Sequence, residues 1–360
     1  MAHKRSHTNG TDRLIQLARA AADDSDLDDL SDAENALADL VGRLLDRGSD
    51  RPIHRALAVL EQEQADDAAD LLRFWADDVA TTIDVAVSTP EGLEDGDVTL
   101  FLIPLVLATP ANPLPLSIPD GPVQELTTSL RTHGLPGIGP EPAIALLGSL
   151  YRLADLPTSW AERRRWGRTI VAHLAHQPAA LPPATREPTA ETTASDAVSL
   201  HLRFLLGVVI ASGDTVPDWF DLEEDGEDET DRAAQLQAWQ SQVHRILSPT
   251  LGGIELATHF PAPWTTALTH GLDLWHAVLG STLLHTHLQH TGLSAADVLA
   301  DVRWMGGFWR IQFVSALQTS PPWHWVIVRD GDTDRDLLLE MLRSFGLQRF
   351  ALDERGHAPL

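Results

Sequence analysis

The stretch VTLFLIPLVLA, residues 98–108, decides the fold. Its apolar side chains do not alternate with polar ones, and it is shorter than the roughly 18 residues a membrane span needs. It therefore reads as a strand buried on both faces. Pro104 within it predicts a bulge or an edge position, because proline brings no N–H to a ladder. Just upstream, Ile83, Val85 and Val87 alternate with Thr82, Asp84 and Ala86, the pattern of a half-buried strand. Downstream, Ala143 to Tyr151 reads as a further strand, and HLRFLLGVVIA from His201 as a second fully buried one.

The residues before 80 are helical in period. Ser31 and Glu34 have capping-box spacing, in which serine accepts from the backbone and glutamate reaches back. Leu37, Leu40, Val41, Leu44 and Leu45 then form one apolar stripe, and Gly48 suits a left-handed cap. Pro52 suits a first helical turn, followed by a stripe of Ile53, Ala56, Leu57 and Leu60. Ala68, Leu71, Leu72, Trp75 and Val79 make another. Further helices are predicted from Asp120 to Gly134, after Ser159, near 232–247, and from 264 to 301, with a strand near 252–259. At the C-terminal end Trp309, Ile311 and Phe313 alternate with Arg310 and Gln312. After QTSPP, Trp323, Trp325 and Ile327 alternate with His324, Val326 and Val328, which fits an antiparallel hairpin. A helix striped by Leu337, Leu338, Met341 and Phe345 follows, and LQRFAL supplies a last strand.

The order strand–strand–helix–strand thus occurs twice, over 81–151 and 307–352. The expected architecture is α+β: an N-terminal helical layer followed by two antiparallel-rich α+β modules. Residues 177–197, rich in Pro, Ala and Thr, have little to offset the entropy of ordering and read as a linker. The expected organisation is a tail at 1–10, helices plus the first module at 11–176, the second module at 198–352, and a tail at 353–360.

Composition removes several functions. The chain has 360 residues, with 26 Lys+Arg against 52 Asp+Glu and a net charge of −26. Nucleic-acid binding by charge alone needs the opposite balance. There is no cysteine, so disulfides, thiolate catalysis and cysteine–zinc sites are excluded. The opening MAHKRSHTNG lacks an apolar secretory core, and no apolar run spans a bilayer, so a cytoplasmic location without membrane contact is expected. The acid is blocked: net −14 over 1–100, −1 over 101–200, −10 over 201–300 and −1 over 301–360. The run EEDGEDETD, residues 223–231, lacks the ligand spacing of a calcium loop and reads as a solvated loop.

Signatures of phosphate loops, dinucleotide folds, nucleophile elbows and zinc proteases are absent from the sequence. Three clusters carry what chemistry there is. His270, His276, His285, His287 and His290 crowd one helical stretch; with Asp273, the faces of His276, His287 and His290 suggest a divalent metal site or, alternatively, local hydrogen bonding at the border of an apolar stripe. Arg163, Arg164, Arg165 and Arg168 around Trp166 suit either an anion or pairing with nearby acids. Trp304, Trp309, Trp323 and Trp325 suit either stacking on bases or a core. In the latter case Arg310, Gln312 and His324 lie on the opposite face.

In order along the chain, the Leu-rich helices, Ile103-Pro104-Leu105, Leu150-Tyr151 with Leu156-Pro157, Phe204-Leu205-Leu206 and Trp309-Arg310-Ile311 resemble the domain of unknown function 2863 family of proteobacterial proteins, from about residue 12 to residue 352. Proteins of that kind carry a later cysteine pair that has no counterpart among these residues. The resemblance implies no activity, catalytic residue, metal or cofactor. The expected function is accordingly a non-catalytic binding or interaction protein with a protein or small-molecule partner. Alternatives are a metal-assisted hydrolase using Asp273, His276, His287 and His290, and a single-stranded nucleic-acid binder using the tryptophan hairpin.

Overall fold

The computed structural model describes residues 10–23, 31–89, 92–109, 114–135, 142–175, 183–185, 192–195, 198–212, 229–326 and 331–353. Four helices come first: α1 Gly10–Asp23, α2 Asp32–Asp46, α3 Arg51–Gln62 and α4 Asp66–Thr81. The capping box of α2 forms as predicted, with Ser31 Oγ accepting from Glu34 N at 3.1 Å and Glu34 accepting from Ser31 N at 2.9 Å. The predicted stripes meet in one small core around Leu14, Leu37, Val41, Ile53, Leu60 and Leu72.

The run at 98–108 lies inside β2, Gly92–Thr109. It forms a hairpin with β1, Thr82–Thr89. After α5, Asp120–Ser129, and a wider helical turn to Gly134 comes β3, Ala143–Tyr151, then α6, Trp160–Leu174. β4, Thr192–Ser195, forms within the segment read as a linker and pairs with β5, Val198–Ser212. β5 runs antiparallel to β2 from Gly96 opposite Ser212 to Thr109 opposite Ser199, and β3 pairs along its other side. After α7, Glu229–Thr250, short strands β6, Glu255–Thr258, and β7, Ala262–Pro263, close the far edge of β2. The first, seven-stranded sheet therefore draws strands from both sides of residues 177–197. Within the acidic run, 223–228 lies outside the described residues, and Glu229 opens α7.

Helices cover both faces of this sheet, which is why its central strands do not alternate. Phe101, Ile103 and Leu105 pack with Trp239, Val243 and Leu247 of α7, while Leu100, Leu102 and Phe204 pack on the other face with Ile170 of α6 and Trp264. Pro104 sits where the outer ladder is interrupted, between the pairs Leu102–Ala262 and Leu105–Thr258. That gap tolerates a residue with no N–H, so an interrupted outer ladder takes the place of the expected bulge or edge. Gly207, opposite Phe101, makes room for its ring: a Cβ there would lie 2.1 Å from the ring.

α8, Trp264–Thr291, ends at Gly292 in the left-handed conformation. The expected helix to 301 is corrected here, since Leu299–Trp304 is a strand, β8. β9, Phe308–Val314, and β10, Trp323–Val326, form the predicted hairpin, with Trp325 opposite Trp309. α9, Gly331–Ser344, then leads to β11, Arg349–Asp353, which returns parallel to β8. The second sheet has the order β10-β9-β8-β11. The architecture is α+β, with N-terminal helices followed by two sheets. No described helix is long and apolar enough to cross a membrane.

Candidate functional site

The histidines of α8 do not converge. His276 is 3 % exposed and its ring stacks on Trp325, centroids 4.9 Å apart. Burial pushes it down to about 4, against a hydrogen bond to the backbone of His324. His287 is buried with neither ring nitrogen hydrogen-bonded, and burial, then the neighbouring His290, lowers its pKa. His290 and His285 are exposed, and His285 bonds to Gln289 at 2.8 Å. Asp273 is half-buried on the same helix. Among the described residues no group of three or more His, Asp or Glu is placed to hold a metal. Sequence reasoning missed His259, whose ring lies 4.1 Å from that of His270. Burial, then His270 and Arg232, pushes it down to about 3.

The tryptophan hairpin belongs to the second core. Trp309, Trp323 and Trp325 are each 4 % exposed and pack with Leu279 of α8 and Leu338 and Leu342 of α9. Of the two readings open to these rings, stacking on bases or a core, core packing is the one that Trp309, Trp323 and Trp325 adopt. Alternation along β9 leaves Arg310 and Gln312 on the opposite, half-exposed face.

The arginine cluster of α6 is where the geometry gathers. Ser159 Oγ accepts from Glu162 N and starts the helix, which then projects Arg163 and Arg164 into the junction with α2, α4 and β1. Arg163 donates to Asp77 at 2.7 Å and to Thr265 at 3.3 Å, and Trp160 Nε1 donates to the same Asp77 oxygen at 2.7 Å. Arg164 is 6 % exposed. It donates to Asp46 at 3.1 Å, to the carbonyl of Val79 at 2.9 Å and to the carbonyl of Thr82. Those carbonyls belong to the end of α4, where helix geometry leaves acceptors without partners and a cation is favoured. Arg168 also pairs with Asp46 at 2.5 Å. Of the two chemistries open to this cluster, pairing with nearby acids is the one its buried members adopt.

Beside Arg164 opens a cleft of about 280 Å³. α2 lines it with Asp39, Gly42, Arg43 and Asp46, α4 with Asp78 and Val79, and β1 with Asp84. Asp78 accepts from Thr82 Oγ1 at 3.2 Å. Burial raises its pKa from the ordinary value; Thr82 and Arg164 oppose this, and Asp97 and Asp84 add to it. Asp84 and Asp97 stand directly opposite each other in the β1–β2 hairpin, a like-charge pair that costs stability unless compensated. Arg164 reaches Asp84 only at 3.9 Å. The lining thus holds four carboxylates, Asp39, Asp46, Asp78 and Asp84, against the two guanidiniums of Arg43 and Arg164. The sequence signals were Asp84 at a strand position and the arginine cluster. Asp78, within a helical stripe, carried none.

The model for the protein-of-unknown-function family DUF2863 matches residues 1–274. That span takes in the helical layer, the first sheet and the cleft, and ends within α8, so the Trp309-Arg310-Ile311 motif lies outside the match. No curated protein and no solved structure matches the chain. The chain belongs to the DUF2863 family.

Proposed function

We propose that the chain is a non-catalytic, cytoplasmic binding protein that seats a small organic cation, such as an alkylamine or guanidinium group, in the cleft between α2, α4, α6 and β1. The observation that carries this is the lining of the cleft, where Asp78, half-buried and raised in pKa by burial, stands with Asp39, Asp46 and Asp84 beside a central arginine committed to Asp46 and two carbonyls. A bound ammonium or guanidinium would favour the ionised form of Asp78 and screen the Asp84–Asp97 pair, so ligand charge and folding energy pull the same way. The buried histidines of α8, held neutral against apolar neighbours, fit packing better than acid–base work.

Calorimetric titration with 1,4-diaminobutane and with arginine amide tests this. At least one of them should bind saturably, and Asp78→Asn should weaken it about tenfold while leaving the melting temperature at neutral pH close to that of the parent. Absence of binding by either probe to the parent protein, or equal affinity in Asp78→Asn, would reject the reading.

A further inference from the structure

The second sheet packs α8 and α9 on its inner side, against Trp309, Ile311, Phe313, Trp323 and Trp325. Alternation therefore turns Phe308, Arg310 and Gln312 of β9 and His324 of β10 to the outer side. Asp301 and Arg303 of β8 and Arg349 and Asp353 of β11 join them there. All of these are half-buried or exposed.

The charges on this face do not cancel. Arg303 engages both acids: its Nε donates to Asp301 at 3.0 Å, and Asp353 stands opposite it in register. Arg310, opposite Arg303 on β9, has no carboxylate partner among the described residues. Arg349 donates to a carbonyl, that of Asp297, at 3.4 Å. Gln312 is held by the carbonyl of Ser320 at 2.7 Å. Two guanidiniums are thus left without a carboxylate on a chain of net charge −26. Two rings stand beside them. Those of Phe308 and His324 are 4.8 Å apart, and His324 is opposite Arg310 in register.

We propose that a single-stranded nucleic acid binds across this face, with a base on the Phe308–His324 pair and backbone phosphates on Arg310 and Arg349. An exposed ring on an open sheet offers a π-face to any unstacked base, and a guanidinium fork matches phosphate. An acidic peptide would use the guanidiniums and leave the rings idle, and a duplex keeps its bases from them. Arg310 and Arg349 lie two strands and about four residues apart in register, roughly 16 Å, so they meet different phosphates of one strand. With so few phosphates neutralised, stacking carries most of the binding, which is compatible with an acidic chain. The acid also lies elsewhere in the sequence: net −14 over 1–100 and −10 over 201–300, against −1 over 301–360. At physiological salt its field is screened beyond about 8 Å.

Fluorescence anisotropy of a labelled thymidine oligomer of about ten nucleotides, titrated with the full chain at about 0.1 M salt, tests this. The parent should bind with a dissociation constant on the order of 10⁻⁵ M. Phe308→Leu keeps apolar bulk without a ring, and Arg310→Gln keeps a polar side chain of similar reach; each should weaken binding about tenfold. Circular dichroism checks that the variants fold, and Arg310→Gln, at a half-exposed position, serves even where Phe308→Leu does not. A parent that does not bind, or folded variants that bind as the parent does, overturns the proposal. So does a duplex that binds as tightly as the single strand. Displacement of the oligomer by an equal concentration of polyglutamate overturns it too, and would assign the face to acidic peptides. The cleft of α2, α4, α6 and β1 shares no residue with this face, so amine binding can fail without touching this result, and the reverse.

Discussion

The two sheets are built from the same order of elements and end in opposite surroundings. Each contains a hairpin, a helix and a returning strand, and in each the returning strand is held away from its hairpin by another strand: β5 in the order β1-β2-β5-β3, β8 in the order β10-β9-β8-β11. The first sheet is covered by helices on both faces, the second on one. Phe101 and Leu102 are adjacent in β2 and both wholly buried, in different cores. Trp309 and Arg310 are adjacent in β9, one in a core and one outside it. A strand covered twice has no side chain to spare for recognition. In the first sheet, charged side chains are therefore confined to the rim, at the β1–β2 hairpin where Asp84 lines the cleft, whereas the second sheet has a whole face open to them.

The sharpest way to break this contrast is to strain the sheet covered twice. Gly207→Val places a side chain where Phe101 already lies, and Phe101 is 0 % exposed with no space to yield. Overpacking typically costs about 1–3 kcal/mol where neighbours can shift; here the cost should exceed about 4 kcal/mol and leave little folded protein. Circular dichroism and soluble yield read the result, and combining it with Phe101→Leu should recover part of the loss. A Gly207→Val protein that melts like the parent would mean the faces of the first sheet are not closed.

Each sheet also has a histidine withdrawn from solvent beside it, His276 buried and His259 half-buried, and acid should therefore strain both. His276, against the second sheet, is held at about 4, and His259, beside the first, at about 3, chiefly by burial. Both folded values lie below the unfolded value of about 6.5, so the unfolded chain takes up the protons. The neutral rings cost nothing above pH 6.5, and stability drains away as the pH falls from there through 4. For His276 the total is about 3 kcal/mol. His276→Phe keeps an aromatic ring against Trp325 and should remove about that much of the loss between pH 7 and pH 4, as measured by urea melts. An unchanged pH dependence in this variant would place the acid sensitivity elsewhere.

The same contrast explains what was legible in the sequence. The runs in β2 and β5 were plain because burial on both faces removes every polar interruption, and the hairpin of β9 and β10 was plain because burial on one face imposes strict alternation. β8 was missed because its partner β11 is far along the chain and parallel, while the apolar period of α8 runs up to it; Gly292, left-handed at φ 66°, was the stop signal. The cleft was half legible. Arg163 and Arg164 stood out as a cluster, but Asp77 and Asp46 lie 86 and 118 residues away, and local pattern does not reach that far. The metal reading of α8 failed for a related reason: helical spacing put His276 and His287 on one side, and that side proved to be the one packed against the core.

The smallest effect concerns the open face alone. Arg310 is flanked in register by Arg303 and His324, so its charge is a burden to the isolated chain. Arg310→Gln keeps a polar side chain of similar reach on a half-exposed strand position and removes the repulsion. In dilute solution it should leave stability equal to or above the parent by no more than about 0.5 kcal/mol. The expected sign runs against the usual direction for a half-buried residue, since most such changes destabilise. The gain should shrink as salt is raised, because screening does the same work as the substitution. Urea melts at low and high salt decide the matter. A loss of more than about 1 kcal/mol would mean that Arg310 has a partner within its own chain. A gain that fades with salt would mean that this face carries an uncompensated repulsion among Arg303, Arg310 and His324.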